Sequence, residues 1–240
     1  MDEEFNDPRL VRLYDLFEGR RHDLDSYLSL AKSLDAKSVL DIGCGTGCFA
    51  DMLAAEGFAV TGVDPAHASL QVARQKPHAQ AVNWIEGDTS CLPVMAVDLA
   101  FMTGNVAQVF LEDDAWHENL VAIRAALKPK GLLIFETRNP AYQAWRGWTR
   151  EHTRVEVIDP ELGAVACWCE VLGVEGSFVT FQWTYRFEET ARELTSRSTI
   201  RFRPRDEIET SLRKAGYVVE TVTEAPDRPG KEMVFVAAIA

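Results

Sequence analysis

Three glycines in five residues, Gly43, Gly45 and Gly47, directly follow the apolar run Val39-Leu40-Asp41-Ile42. A short buried strand, a turn without side chains and a helix over Cys48–Glu56 make a backbone cradle for a nucleotide-like ligand. Glycine frees the main chain to take unusual angles and to approach a ligand closely. The spacing is G-x-G-x-G, not the G-x-G-x-x-G of a dinucleotide site, and Asp41 sets a carboxylate at the strand end. A pyrophosphate relies on the positive end of a helix. A carboxylate beside the turn suits a cationic, phosphate-free ligand better.

Other chemistry-bearing residues recur at strand ends. Asp64, in Gly62-Val63-Asp64-Pro65, closes a strand over Ala59–Val63, 17 residues after Gly47. It can accept from both hydroxyls of a ribose, cap the helix that starts near Pro65-Ala66, or do both. The next strand, Ala81–Ile85, leads to Gly87-Asp88-Thr89. A carboxylate there accepts from an exocyclic amine and donates nothing, or simply serves a Gly-Asp turn. Val97–Met102 runs into Thr103-Gly104-Asn105. Ligands of open α/β sheets lie beyond the strand carboxyl ends, so this loop is expected to face the reacting group. Glu136-Thr137-Arg138 brings Arg138 to the same edge. Arginine grips carboxylate or phosphate with a fixed fork. Arg138 therefore anchors an anionic group or pairs with one of the many acids. Of five histidines only His152 falls near the later strands, as a base or as an exposed loop residue.

Val39-Leu40-Asp41, Gly43, Gly45 and Gly47 resemble motif I of the class I S-adenosylmethionine-dependent methyltransferases, V-L-D-x-G-x-G-x-G. Leu127-Lys128-Pro129-Lys130-Gly131 resembles that family's L-k-P-G-G turn before its fifth strand, with Lys130 where glycine is common. Gly87-Asp88-Thr89 resembles its adenine segment, and Gly104-Asn105 the loop of glycine- and sarcosine-type N-methyltransferases. Tyr14-Asp15 is similar to an N-terminal helix that closes over the cofactor, although Tyr14 also reads as a packing aromatic. There is no N-P-P-Y-like run, which opposes a nucleic-acid or protein-glutamine substrate. The resemblance spans roughly residues 35–140 and the last helix and two strands. It implies S-adenosyl-L-methionine as cofactor, held at Tyr14, Asp41, Gly43, Gly45 and Gly47. Asp64, Pro65, Asp88, Thr89, Thr103 and Gly104 complete that set. A small-molecule acceptor would be met by Asn105, Arg138 and His152. A dedicated base is optional, since a neutral amine needs none before attack.

The elements that must position these residues follow from periodicity. Leu10, Leu13 and Phe17 give a helix over Pro8–Glu18, and Leu24, Leu28 and Ala31 another over His22–Leu34. Asp113 or Asp114 is expected to cap a helix bearing Trp116, Leu120, Ile123 and Leu127. Tyr142, Trp145 and Trp148 have helix-like spacing. From Thr153 the period becomes two, giving strands at Thr153–Ile158, Val165–Leu172, Phe178–Phe187 and Leu194–Phe202. Phe181, Trp183, Tyr185 and Phe187 share one face. A helix over Pro204–Ala215 and strands Tyr217–Val222 and Met233–Ile239 end the chain.

The expected fold is α/β: a Rossmann-like seven-stranded, mostly parallel sheet with helices on both faces, one antiparallel strand, and an antiparallel β lid after the fifth strand. Residues 1–34 would be cap helices, 35–150 and 204–240 the cofactor domain, and 151–203 the lid. The 240 residues suffice for such a core. A net charge of −12 argues against broad phosphate-backbone binding. The acidic start lacks the segments of a signal peptide and no apolar run is long enough to span a bilayer. A cytoplasmic monomer or homodimer is expected. The five cysteines lack metal-site spacing. Two other functions fit parts of this pattern: a cofactor-binding regulatory module without transfer, and a nicotinamide-dependent oxidoreductase, which the glycine spacing opposes.

Overall fold

The computed structural model describes residues 2–240. Its centre is a seven-stranded sheet. The strands are β1 (Ser38–Ile42), β2 (Ala59–Asp64), β3 (Val82–Glu86), β4 (Val97–Met102), β5 (Leu127–Arg138), β10 (Tyr217–Glu224) and β11 (Glu232–Ile239). Their order is β3-β2-β1-β4-β5-β11-β10, and β11 runs antiparallel to the other six. The strands around β1 are near-continuous apolar runs because helices cover both faces. On one face α6 (Asp113–Ala126) and α8 (Arg205–Lys214) bury Leu120, Ile123 and Leu212 against Leu40, Leu133 and Phe235. On the other, α3 (Asp23–Ser33) and α4 (Cys48–Ala55) bury Tyr27, Phe49 and Leu53 against Val39, Phe101 and Ile134. Each such fully buried side chain contributes about 1.5–3 kcal/mol relative to exposure.

Between β5 and α8 lies a separate antiparallel sheet, β6 (Val155–Asp159), β7 (Gly163–Glu175), β8 (Phe178–Phe187) and β9 (Arg192–Arg201). Its aromatic face is divided between two clusters: Phe181 packs with Val179, Ile200, Phe202 and Trp148, and Trp183 and Tyr185 meet the N-terminal helices. Tyr185 and Cys167 pack on Leu10 of α2 (Pro8–Glu18), and the Phe17 and Tyr185 rings meet edge-on at 5.9 Å. The short α1 (Glu3–Asn6) adds to this seam. The Tyr185 hydroxyl donates to Glu4 at 2.9 Å, and the Glu4 amide donates to Ser196 at 2.8 Å. Burial of Glu4 pushes its carboxyl up to about 7. At the far end Arg201 and Arg203 donate to the carbonyls of Leu111 and Phe110, at 2.8 and 2.7 Å. The second sheet is thus bound both to the N-terminal helices and to the loop after β4.

Several local expectations are corrected. Tyr142, Trp145 and Trp148 do not share a helix. Two 3-10 turns, Pro140–Tyr142 and Ala144–Gly147, break at Gln143, whose φ is +52. Trp145 and Trp148 pack instead on Phe202, at 4.5 and 6.3 Å between centroids. Glu112, not Asp113 or Asp114, is the N-cap residue of α6. Asp113 is engaged by Arg201 at 2.8 Å and Arg203 at 3.5 Å. Pro129-Lys130-Gly131 is not a separate turn but lies within β5, opposite a register shift between Val97 and Leu99.

Candidate active site

The glycine turn leaves β1 with φ of +67 at Gly43, +53 at Gly45 and +79 at Gly47. The three differ in what surrounds them. A Cβ at Gly43 would lie 2.5 Å from Val106, and one at Gly47 would lie 2.8 Å from Ala73. A Cβ at Gly45 would meet nothing within 4 Å. Gly43 and Gly47 are therefore glycine for packing as well as angle, while Gly45 faces open space. The Gly45 amide donates to Asp64 at 2.8 Å.

Asp41 sits beneath this turn, 1 % exposed, and neither carboxylate oxygen has a hydrogen-bond partner. Burial, then the neighbouring Asp64 carboxylate, pushes its carboxyl up to about 7, with Arg21 and the Ala50 amide, too distant or misaligned for a full hydrogen bond, opposing. A buried carboxyl without donors is costly, so the arrangement is suited to a positively charged guest. Asp64 is buried, and its second oxygen accepts the Ala66 amide at 2.8 Å. It therefore bonds the backbone on both sides, and each oxygen keeps a lone pair for a hydroxyl. Burial raises its carboxyl, while the Ala66 and Gly45 amides oppose that.

Pro65 is exposed after it, and Asp88 is exposed as cap of a 3-10 turn, accepting from the Ser90 amide at 2.9 Å. Bonds from Ser90 hold its carboxyl below the usual range. Thr89 turns the other way: its hydroxyl donates to Asn119 of α6 at 2.9 Å. Tyr14 is half-buried against Phe5, 5.9 Å between centroids, and burial pushes its phenol up. Next to it Asp15 accepts from Thr46 at 2.6 Å and from Lys76, which ties α2 to the glycine turn. The buried acid, the open Gly45 position and the partly free Asp64 fit S-adenosylmethionine, which carries a cation and a ribose.

A second cluster lies at the carboxyl ends of β4 and β5. Glu136, fully buried, accepts from the Gly104 amide at 2.8 Å and from the Tyr27 hydroxyl. Burial, then the nearby Glu232, raises its carboxyl. Arg228 reaches Glu232 at 3.0 Å and Glu136 at 3.5 Å. Thr103 is half-buried and Gly104 exposed on this loop. Asn105 is 4 % exposed at φ +63, so it does not point freely into solvent. Its amide donates to Glu232 at 3.0 Å. Arg138 donates to Gln108 at 2.9 Å and lies 5.5 Å from the Trp148 ring centroid. Burial lowers its pKa, and among the described residues no carboxylate pairs with it within 4.0 Å.

His152 does not join this cluster. It lies on α7 (Arg150–Thr153), exposed, bonded to Thr149 at 3.2 Å. Thr149 is the cap of this helix, its hydroxyl accepting from the His152 amide at 3.3 Å. Sequence reasoning missed Glu136, Tyr27, Arg228 and Glu232. Glu136 carried a signal, an acid ending an apolar strand, as Asp41 does. Arg228 and Glu232 carried none, because only the antiparallel return of β11 beside β5 brings them in. Among the described residues no group of three His, Cys, Asp or Glu side chains could hold a metal.

A nucleoside-type cradle on a sheet of this order, with β11 reversed, defines a Rossmann-like methyltransferase fold. Residues 39–131 match the family described as a methyltransferase domain. Over that segment the chain is similar to a methyltransferase domain, and the whole chain shares the fold of an S-adenosylmethionine-dependent methyltransferase of known structure. It is 30% identical over 144 residues to the cypemycin N-terminal methyltransferase of a Streptomyces species, 58% of this chain and 59% of that one. The chain spans about half the length of the curated relatives it matches. An S-adenosylmethionine-dependent methyltransferase of Clostridium acetobutylicum superposes with a TM-score of 0.78 at 16% identity, covering 97% of this chain and 98% of that one. An amino pentose methyltransferase of Micromonospora echinaspora gives 0.73 at 20% identity, covering 95% and 96%. These two share the fold. No helix among the described residues is long and apolar enough to cross a membrane.

Proposed function

We propose that the protein transfers a methyl group from S-adenosyl-L-methionine to a nitrogen or oxygen of a small-molecule acceptor. The observation that carries this reading is the partnerless Asp41 carboxylate beside the open Gly45 position. When bound, the cofactor supplies an activated methyl on a positively charged sulfur. On this reading Gly43, Gly45 and Gly47 shape the main chain, and Asp41 compensates positive charge. Asp64 holds the ribose, Asp88 the adenine with Pro65 and the Thr89 backbone beside it, and Tyr14 covers the site from α2.

Thr103, Gly104 and Asn105 border the acceptor, whose anionic group Arg138 holds. The protein's part is alignment and exclusion of water. Residues 151–203 act as the lid over a domain formed by 35–150 and 204–240, with residues 1–34 as the cap. Supporting this, Trp183 and Tyr185 of β8 are turned inward onto α2, and Phe181 packs on Trp148 at 4.9 Å between centroids. A net charge of −12 favours a small acceptor over nucleic acid. Five unpaired cysteines suit a reducing, cytoplasmic setting for a monomer or homodimer.

Calorimetric titration with S-adenosylmethionine and S-adenosylhomocysteine tests the reading, with Asp64→Ala as control. Saturable binding that the variant loses is the expected result. A wild-type protein that binds neither compound refutes it.

A further inference from the structure

We infer that the acceptor is zwitterionic, carrying an anionic group for Arg138 and an N–H-bearing nitrogen, the methyl-accepting atom, for Asn105 and Glu232. This rests on the methyl-transfer reading above and names the substrate class of that same site. Two buried acceptor atoms in the second cluster have no partner: Oδ1 of Asn105 and Oε2 of Glu232. Both residues are 4 % exposed and are bonded to each other through their other ends at 3.0 Å. Two adjacent unfilled acceptors define a notch for a group that donates two hydrogen bonds, as an amine does. An unfilled buried acceptor is costly, so binding a donor there returns that cost.

Arg138 stands directly opposite Glu232 in the β5–β11 register. Directly opposed side chains share a face, with Cβ atoms about 4.5–5.5 Å apart. Yet Arg138 is bonded to Gln108 and lies over Trp148 rather than pairing with Glu232. Its remaining donors are open to an anion. Arg228 meets Glu232 at 3.0 Å and Glu136 at 3.5 Å, and also Asp227 and Asp23, which leaves Arg138 as the guanidinium of this cluster without a carboxylate. A guest with an anion for Arg138 and a donor for the two free acceptors satisfies both, while a simple amine or a simple acid leaves one of them unpaired in a desolvated site. The notch and the fork sit on neighbouring side chains, so the two groups belong to one small molecule.

Before the transfer the bound ammonium gives one proton to the unpartnered Oε2 of Glu232, which frees the nitrogen's lone pair. That lone pair forms the new C–N bond as the carbon–sulfur bond breaks, and the product leaves as the N-methylated ammonium while Glu232 returns its proton to solvent. Neither oxidant nor further reactant is needed.

The test measures thermal shifts of the protein saturated with S-adenosylhomocysteine. The probes are α-, β- and γ-amino acids, an aminoalkyl phosphate, and the matched plain amines and plain carboxylic acids. At least one amino acid or the aminoalkyl phosphate is expected to raise the Tm where its matched amine and acid do not; which of these succeeds identifies the anion. Arg138→Gln and Glu232→Gln should each abolish that shift, and Arg138→Lys should restore part of it. Undiminished S-adenosylhomocysteine affinity shows that each variant is folded. In labelled-methyl assays with the successful probe, Arg138→Lys should raise KM more than it lowers kcat. The inference is overturned if plain amines or acids shift the Tm as much as the zwitterions, or if no zwitterion shifts it. A wild-type protein that fails to bind S-adenosylhomocysteine instead removes the underlying methyl-transfer reading, so the two failures are distinct.

Discussion

Asp41→Asn should make the ligand-free protein more stable at high pH while weakening cofactor binding. The carboxyl is raised from 3.8 to about 7 by burial and by Asp64. One pKa unit corresponds to about 1.4 kcal/mol, so ionised Asp41 costs the ligand-free fold about 4 kcal/mol above neutrality. The sign follows from which state holds the proton. Well below pH 3.8 both folded and unfolded chains are protonated and the cost is absent. As pH rises from there to about 7, the unfolded chain releases its proton first, and the cost accumulates. Above that range it is constant.

Asparagine removes the titration and leaves a buried amide whose missing partners cost about 1–3 kcal/mol. The net effect near pH 8 is therefore a gain of about 1–3 kcal/mol, and near pH 5 it lies between a gain and a loss of about 1 kcal/mol. The quantity free of the amide's cost is the change in the variant-minus-wild-type difference between about pH 5 and about pH 8, about 2–3 kcal/mol. Urea unfolding of both proteins at the two pH values measures it directly. A difference that stays constant with pH would show that Asp41 titrates normally in the fold, and the argument from its orphaned carboxylate would fail. S-adenosylhomocysteine affinity measured in parallel should fall in the variant, the exchange of stability for function seen at strained sites.

Gly45→Ala should fold with a loss of about 1–2 kcal/mol, since its cost is the left-handed angle alone, yet lose cofactor affinity because the new methyl fills the open position. Gly47→Ala should cost more in chemical denaturation, because its Cβ would lie 2.8 Å from the Ala73 Cβ and 3.2 Å from its Cα. Tyr27→Phe removes a donor to the buried Glu136 and should destabilise the chain by about 1–3 kcal/mol in urea unfolding; no change would mean that water replaces the hydroxyl. Arg138→Ala should raise the KM of an anionic acceptor at least tenfold with kcat little changed, and an unchanged KM would remove the anchoring role.

The second cluster shows where reading a sequence stops. Arg138 was legible because it closes a predicted strand. The reason it stays unpaired was not, since that depends on Gln108 and Trp148 reaching it from two different loops. For His152 the sequence left a base and an exposed loop residue both open, because nearness to the second sheet says nothing of which way the ring is held. In the structure it is exposed and bonded to Thr149 at a local helix start. Asn105 was legible as a loop residue, and its left-handed, buried conformation came only with the return of Glu232 beside it.

The sequence by itself determined the alternation of strands and helices, the glycine turn and the acid at each strand end, because those depend on residues within a few positions of one another. It also set the switch to period two after Thr153 that marks the second sheet. Only the tertiary structure decided which acids remain without partners, where the aromatic face of β8 is buried, and that Arg228 and Glu232 join the carboxyl end of β5. Those outcomes depend on contacts between segments far apart in the chain. Each is settled by packing and desolvation, whose strength no local pattern records.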